Sequence, residues 1–238
     1  GIELSNMADF PAYGTGLGSS SSFLVGMLNA FYTYNKTSFD TEKLAQDACK
    51  IEIETLREPI GKQDQYIAAY GGFKFIKFNK DDTVSVENME VKSETVTELK
   101  NNLLFFYTGI SRASSSVLRE QKQNIDNKQD FLNKIRAITE RMKIELEKGN
   151  LDSFGEMLND AWLLKRSLAS NVSNSSIDTH YDNAMHAGAI GGKVLGAGGG
   201  GFLMFYTPKE KQNAVRKALG SLREVNFNFG VEGSKIIY

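Results

Sequence analysis

Cysteine is almost absent from these 238 residues: Cys49 stands alone, so no disulfide can close within the chain and no cysteine-based zinc site can form. A lone thiol suits a reducing compartment, and a cytoplasmic protein is the expectation. Proline occurs only at Pro11, Pro59 and Pro208, all outside the helical patterns, and low-complexity linkers and repeats are missing. No apolar run approaches the length of a membrane span, and no signal-peptide pattern is visible. Charge of one sign is lacking too: Lys+Arg at 28 against Asp+Glu at 29 leaves a net −1. That balance denies the electrostatic footprint that nucleic acid or an anionic membrane surface requires. Histidine is limited to His180 and His186, six apart on a helical pattern. They do not make a metal pair and read as structural.

What is present is an ordinary globular composition, 41% hydrophobic and 24% charged, long enough for one large domain or two small ones around a real core. The chain opens at Gly1, and Ile2-Glu3-Leu4-Ser5 reads as a strand already under way, so the expectation is a start further upstream. Phe23, Leu24, Met27, Leu28 and Phe31 predict an amphipathic helix over residues 20–34, and Asp40 caps a second that runs to about Leu56. Phe73–Phe78 alternates like a strand, turned by residues 79–82 into another over Thr83–Val91. Leu103–Tyr107 is a short buried strand. Three helical patterns follow, the longest Phe131–Lys148, stopped by Gly149-Asn150. Phe202–Tyr206 reads as a strand, Gln212–Leu222 as a helix, and Val225–Phe229 and Lys235–Tyr238 as strand-like ends. These patterns predict two α+β halves, residues 1–98 and 99–238.

Of 22 glycines, eight lie between Gly188 and Gly201 and four more at Gly14, Gly16, Gly18 and Gly26. Such clusters mark turns with positive φ or close backbone approach. Gly196–Gly201 formally matches G-x-G-x-x-G, yet an apolar strand follows it instead of a helix, and position 221 is serine rather than acidic, which excludes a dinucleotide fold. Gly14-Thr15-Gly16-Leu17-Gly18 leads into Ser19-Ser20 with no lysine, which excludes a P-loop, and no G-x-S-x-G elbow exists. What remains is a glycine bend opening a serine-rich helix. It serves equally as an anion site or as a tight, serine-capped turn.

The stretch from Pro11 to Ser22 resembles the second motif of the GHMP kinases, and Lys193-Val194-Leu195-Gly196-Ala197-Gly198-Gly199-Gly200-Gly201 resembles the third. Two features depart from the usual form: an extra residue between Pro11 and Gly14, and Ser21 where alanine is usual. The resemblance implies a two-lobed α+β fold, with a ribosomal S5-like N-terminal lobe (here incomplete) and a ferredoxin-like C-terminal lobe. It implies ATP on Gly14, Gly16, Leu17, Gly18, Ser19, Ser20 and Ser21, and Mg²⁺ on the Ser20 hydroxyl and a glutamate of the second helix. Helical geometry chooses Glu52 over Glu54, since Glu52 continues the inward Ala45, Ala48 row. Gly61-Lys62-Gln63-Asp64-Gln65 resembles the family's Gly-x-x-Asp-Gln, which makes Asp64 the catalytic aspartate; it also reads as the N-cap of a helix over Gln65–Tyr70.

Segments at Glu58–Tyr66, Tyr107–Arg112 and Trp162–Arg166 resemble the branch of that family acting on heptose 7-phosphate. The resemblance implies transfer from ATP to an anomeric hydroxyl, with a small-molecule sugar phosphate as partner, and it leaves homodimerisation open. A phosphorylated acceptor needs a cationic clamp, for which Lys62, Arg112, Lys165 and Arg166 are candidates, each equally readable as solvated surface charge. Gly198 and Gly199 complete the expected substrate contacts. Another sugar-1-kinase, of fucose or galactose type, and a catalytically silent ligand sensor are the competing readings. Retention of Ser20, Glu52 and Asp64 together speaks against the sensor. The family's first motif, absent from this chain, speaks partly for it.

Overall fold

The computed structural model describes Glu3, Ser5, Met7 and residues 16–110, 114–230 and 232–237. Of the strand expected over residues 2–5, Ile2 and Leu4 lie outside this set, and Glu3 and Ser5 are not in a strand. Helix α1 (Ser19–Tyr34) buries Leu24, Val25 and Leu28. Helix α2 (Thr41–Cys49) opens on Asp40, whose carboxylate accepts from Lys43 N at 2.7 Å as expected of a cap. The helix continues past Cys49, but as a π-helical turn, Lys50–Thr55. After α3 (Gln63–Tyr70), strands β1 (Lys74–Phe78) and β2 (Val84–Asn88) form an antiparallel hairpin with Ile76 opposite Val86. Leu44 and Tyr66 close this first core with α1, each only 2% exposed. Leu44→Ala would cost about 2–5 kcal/mol by transfer and cavity terms.

Helix α4 (Ser93–Asn102) straddles the division expected at residue 98. Strand β3 (Leu103–Tyr107) leads to α5 (Ser114–Gln123), α6 (Gln129–Lys148), α7 (Leu151–Arg166) and α8 (Ser175–His186). Strands β4 (Gly191–Val194) and β5 (Phe202–Tyr206), helix α9 (Gln212–Ala218) and the two-residue β6 (Arg223–Glu224) follow. The sheet runs β4-β5-β3-β6, each pair antiparallel. The central strands are apolar throughout because both faces are covered. Leu104, Phe106, Leu203 and Phe205 pack with Trp162, Ile177 and Tyr181, while Leu103 and Tyr206 pack with Leu99, Leu146 and Leu158. The α+β class expected of the sequence is the class observed.

Three local expectations are corrected. Helix α9 stops at Ala218 instead of Leu222, because Gly220 follows and Leu222 N turns back to Leu219 O at 2.8 Å. Among the described residues the strand-like ends are not strands. In the described part of 225–237 the alternating Phe227 and Phe229 pack on Phe105 and Phe73 rather than pair with a neighbouring strand. Asp64 is not a cap: α3 already begins at Gln63, and Asp64 sits in its first turn.

Candidate active site

Gly18 precedes α1 in the left-handed conformation (φ 69°) and offers no capping side chain, and Ser22 N closes the first intrahelical bond on its carbonyl at 2.9 Å. The opening N–H groups of α1, from Ser19 to Ser21, precede that first intrahelical bond and carry the positive end of the helix dipole. Gly16 (φ 74°) and Gly196 (φ 67°) bring the two glycine-rich segments together backbone to backbone. A Cβ on Gly16 would lie 2.6 Å from Leu195 O, and one on Gly196 would lie 2.6 Å from Gly16 Cα. The two segments that resemble separate motifs, far apart in sequence, thus form one seam. A Cβ on Gly18 would meet Asp64 Cγ at 3.1 Å, so Asp64 closes the seam from the α3 side. Gly14 lies outside the described residues, and Leu17 is 40% exposed beside the turn.

Behind α1's first turn sits a buried carboxylate. Glu52 is 3% exposed, whereas Glu54 faces solvent. Ser20 Oγ donates to Glu52 Oε1 at 2.7 Å and Ser21 Oγ to Oε2 at 2.7 Å, while Gln65 Nε2 donates to Oε2 from α3. Burying a carboxylate without such donors would cost several kcal/mol. These bonds join three helical segments at one point. Gln65 is fully buried, and its Oε1 finds no hydrogen-bond partner among the described residues. The donor set is made of hard oxygens, as Mg²⁺ prefers, and the 2.7 Å between Ser20 Oγ and Glu52 Oε1 is near the roughly 2.9 Å edge of an octahedron with 2.0–2.1 Å bonds. Among the described residues no group of three or more His, Cys, Asp or Glu could hold a metal alone. Ser20 and Glu52 would therefore supply only part of a Mg²⁺ ion's shell.

Burial pushes the Asp64 carboxyl up, with Glu52 adding to the effect; Gln63, donating at 3.2 Å, and Lys165 act the other way. Burial likewise pushes the Lys165 ammonium down to about 7, aided by Lys193 and opposed by Asp64. Burial pushes Lys193 down as well. Lys165 lies in the last turn of α7, whose close approach to β4 is set by glycines: a Cβ on Gly191 would lie 1.9 Å from Gly155 O. From there Lys165 Nζ donates to Gly196 O, on the seam. Two cations and one carboxylate thus meet where the glycine segments touch.

Other expected contacts fall elsewhere. Lys62 turns away to the hairpin, donating to Asp82 O at 3.1 Å. Arg166 pairs with Asp178 at 2.9 Å. Gly198 and Gly199 pack on the segment before α8: a Cβ on Gly198 would lie 2.5 Å from Val172 O, and Gly199 N donates to Val172 O at 2.8 Å. Arg112 lies outside the described residues. Three site features were not anticipated from sequence: Gln65 as a support of Glu52, Lys193 beside Lys165, and the Ser21 hydroxyl on Glu52. The signal for Gln65 was its place one residue after Asp64 on the face that also buries Tyr66 and Ala69.

A glycine seam at a helix N-terminus, a carboxylate–hydroxyl pair and an aspartate beside them are the parts of a phosphoryl-transfer site. The profile of the GHMP kinases N terminal domain matches residues 1–72, and that of the GHMP kinases C terminal region matches 142–223. The chain belongs to the GHMP kinases. It is 31% identical over 240 residues to D-glycero-alpha-D-manno-heptose 7-phosphate kinase of Campylobacter jejuni, covering 98% of this chain and 70% of that protein. The crystal structure of a D-glycero-D-manno-heptose 1-phosphate kinase from Bacteriodes thetaiotaomicron superposes with a TM-score of 0.74 at 29% identity, covering 94% of this chain and 64% of that one. Galactokinase of Pyrococcus furiosus is 28% identical, covering 89% of this chain and 65% of that protein. The chain thus spans about two thirds of the length of these relatives. Among its described residues no helix is long and apolar enough to cross a membrane.

Proposed function

We propose that the protein transfers the terminal phosphoryl group of ATP to the anomeric hydroxyl of D-glycero-D-manno-heptose 7-phosphate, giving the 1,7-bisphosphate, in the cytoplasm. The observation that carries the reading is the junction of Ser20, Ser21, Glu52 and Gln65 beneath α1's N-terminus, with Asp64 against Gly18. The names of the relatives supply the acceptor class, two of them acting on heptose phosphates.

Free N–H groups of α1 and the backbone of Gly16–Ser21 receive the nucleotide phosphates. Ser20 and Glu52 would hold Mg²⁺, which neutralises charge on the transferring group when bound. Asp64 orients the acceptor hydroxyl and takes its proton late, as its raised pKa allows. Lys165, beside Asp64 and on the seam, supplies positive charge at the acceptor end, with Arg112 as the second cation proposed for the sugar's own phosphate. Incubating the full-length protein with MgATP and heptose 7-phosphate, then reading the product by phosphorus NMR, tests the assignment. A new anomeric phosphate beside the retained 7-phosphate is the expected product. Transfer to any other hydroxyl overturns the reading.

A further inference from the structure

We propose that the segment after β6, residues 225–230 and 232–234, is a tie that positions α1 and α3 for catalysis. The inference rests on the kinase reading above.

Its first half is fastened to the sheet. Val225 N donates to Phe105 O at 2.9 Å, and the Phe227 ring lies 4.0 Å from that of Phe105, centroid to centroid. Phe229 meets Phe227 edge-on at 5.4 Å and reaches Phe73, just before β1, edge-on at 5.5 Å. The chain thereby crosses from the four-stranded sheet to the helices of the first core.

Its second half presses on the far end of α3 without any gap. A Cβ on Gly233 would lie 2.0 Å from Ala69 O, and a Cβ on Gly71 would lie 2.1 Å from Gly233 N. Ser234 N donates to Ala68 O at 2.9 Å, so the tie satisfies a carbonyl that the helix end leaves open. Ser234 Oγ accepts from the buried Asn29 Nδ2 of α1 at 2.9 Å. The tie therefore grips α3 at its far end and α1 at Asn29, in its C-terminal half, while the opening turns carry Ser20 and Ser21 on α1, Asp64 and Gln65 on α3. Helix α3 has only eight residues, about 12 Å, too short to hold a direction alone. A tilt pinned or freed at Ala69 is passed directly to Asp64, and misplacement of a reacting group by about 1 Å can cost on the order of 100-fold in rate.

Gly233→Ala in the full-length protein tests this, because Gly233, unlike Gly71, is not strained by a positive φ. Ser234→Ala is the milder companion, removing the Asn29 bond and leaving the backbone in place. The expected result is a kcat at least tenfold lower for Gly233→Ala and severalfold lower for Ser234→Ala, with the Kd for MgATP within about twofold of the parent. Hydrogen exchange should rise about tenfold at the α3 amides and stay unchanged in β3 and β5. Unchanged α3 exchange in both variants, or a kcat per folded molecule within about twofold of the parent, would overturn the tie. If the parent enzyme phosphorylates no heptose 7-phosphate, the proposed function fails, and the exchange measurement alone still decides whether the tie holds α3.

Discussion

Ser20 and Glu52, 32 positions apart, share a 2.7 Å hydrogen bond that couples the first turn of α1 to the π-helical turn after α2. The wider π-helical winding occurs where Glu52 must be delivered, as such segments often do at functional sites. Glu52→Gln should lower Mg²⁺-dependent turnover by about 100-fold, since it removes the one carboxylate of the junction. Glu54→Gln, on the exposed side, should stay within about twofold of the parent. Titrating Mg²⁺ in steady-state kinetics separates the two; equal losses would remove Glu52 from the metal role.

Asp64→Asn should reduce kcat by about 10²–10⁴-fold with little change in nucleotide affinity, because Asp64 is proposed to touch the acceptor rather than ATP. The check is kcat beside a fluorescence-measured Kd for MgATP. Near-normal kcat would leave Asp64 a structural partner of Gly18.

The pH profile should have two sides of opposite origin. On the proposed roles, activity needs Asp64 ionised, so kcat/KM should rise as pH climbs through a pKa raised above the ordinary aspartate value. It also needs Lys165 charged, so kcat/KM falls again above about pH 7, where that lysine loses its proton. Lys193 is the neighbour that pushes Lys165 down, and Asp64 is the neighbour that opposes it. Lys165→Arg should move the alkaline side upward by more than about one unit, since a guanidinium keeps its charge. Stability shifts in the opposite sense: the unfolded chain binds more protons at this lysine between about 7 and its ordinary pKa, so its contribution falls as pH drops toward 7. Lys165→Met should therefore fold with an equal or higher Tm at neutral pH. A clear fall in Tm would show that the ammonium stabilises the fold.

Gly196→Ala should damage nucleotide binding and stability together, because its φ is positive and its Cβ would strike Gly16 Cα at 2.6 Å. Strain of this kind costs on the order of 1–3 kcal/mol. Thermal unfolding beside a MgATP titration measures both. Loss of stability with unchanged Kd would mean that the seam braces the fold without shaping the nucleotide site.

Much of this was legible because each stretch obeyed one local rule. Periodicity placed α1 and α6 nearly to the residue, and the Ala45, Ala48 row set Glu52 rather than Glu54 on the inward face, where the structure buries it. What escaped depends on partners distant in sequence. Phe227 and Phe229 alternate like a strand, yet their alternation answers to Phe105 and Phe73 rather than to a ladder. Lys62 stands two residues from Asp64 in sequence, and only the hairpin's Asp82 decides where its ammonium goes. Gln65 looked like a motif residue, but its function in holding Glu52 appears only once α3 is laid against the π-helical turn.

The central claim is the acceptor, and the most direct measurement compares kcat/KM of the full-length protein for heptose 7-phosphate, unphosphorylated heptose, fucose and galactose with MgATP. The comparison belongs at about pH 7, where the substrate phosphate is largely dianionic, since its second ionisation lies near pH 6, and Lys165 still carries part of its charge. A charge-assisted contact to that phosphate contributes about 1.5–3 kcal/mol, so removing it should raise KM at least tenfold. The account predicts heptose 7-phosphate to be preferred by that margin, with Arg112→Ala erasing most of the difference. Fucose or galactose turned over more efficiently than heptose 7-phosphate would contradict it.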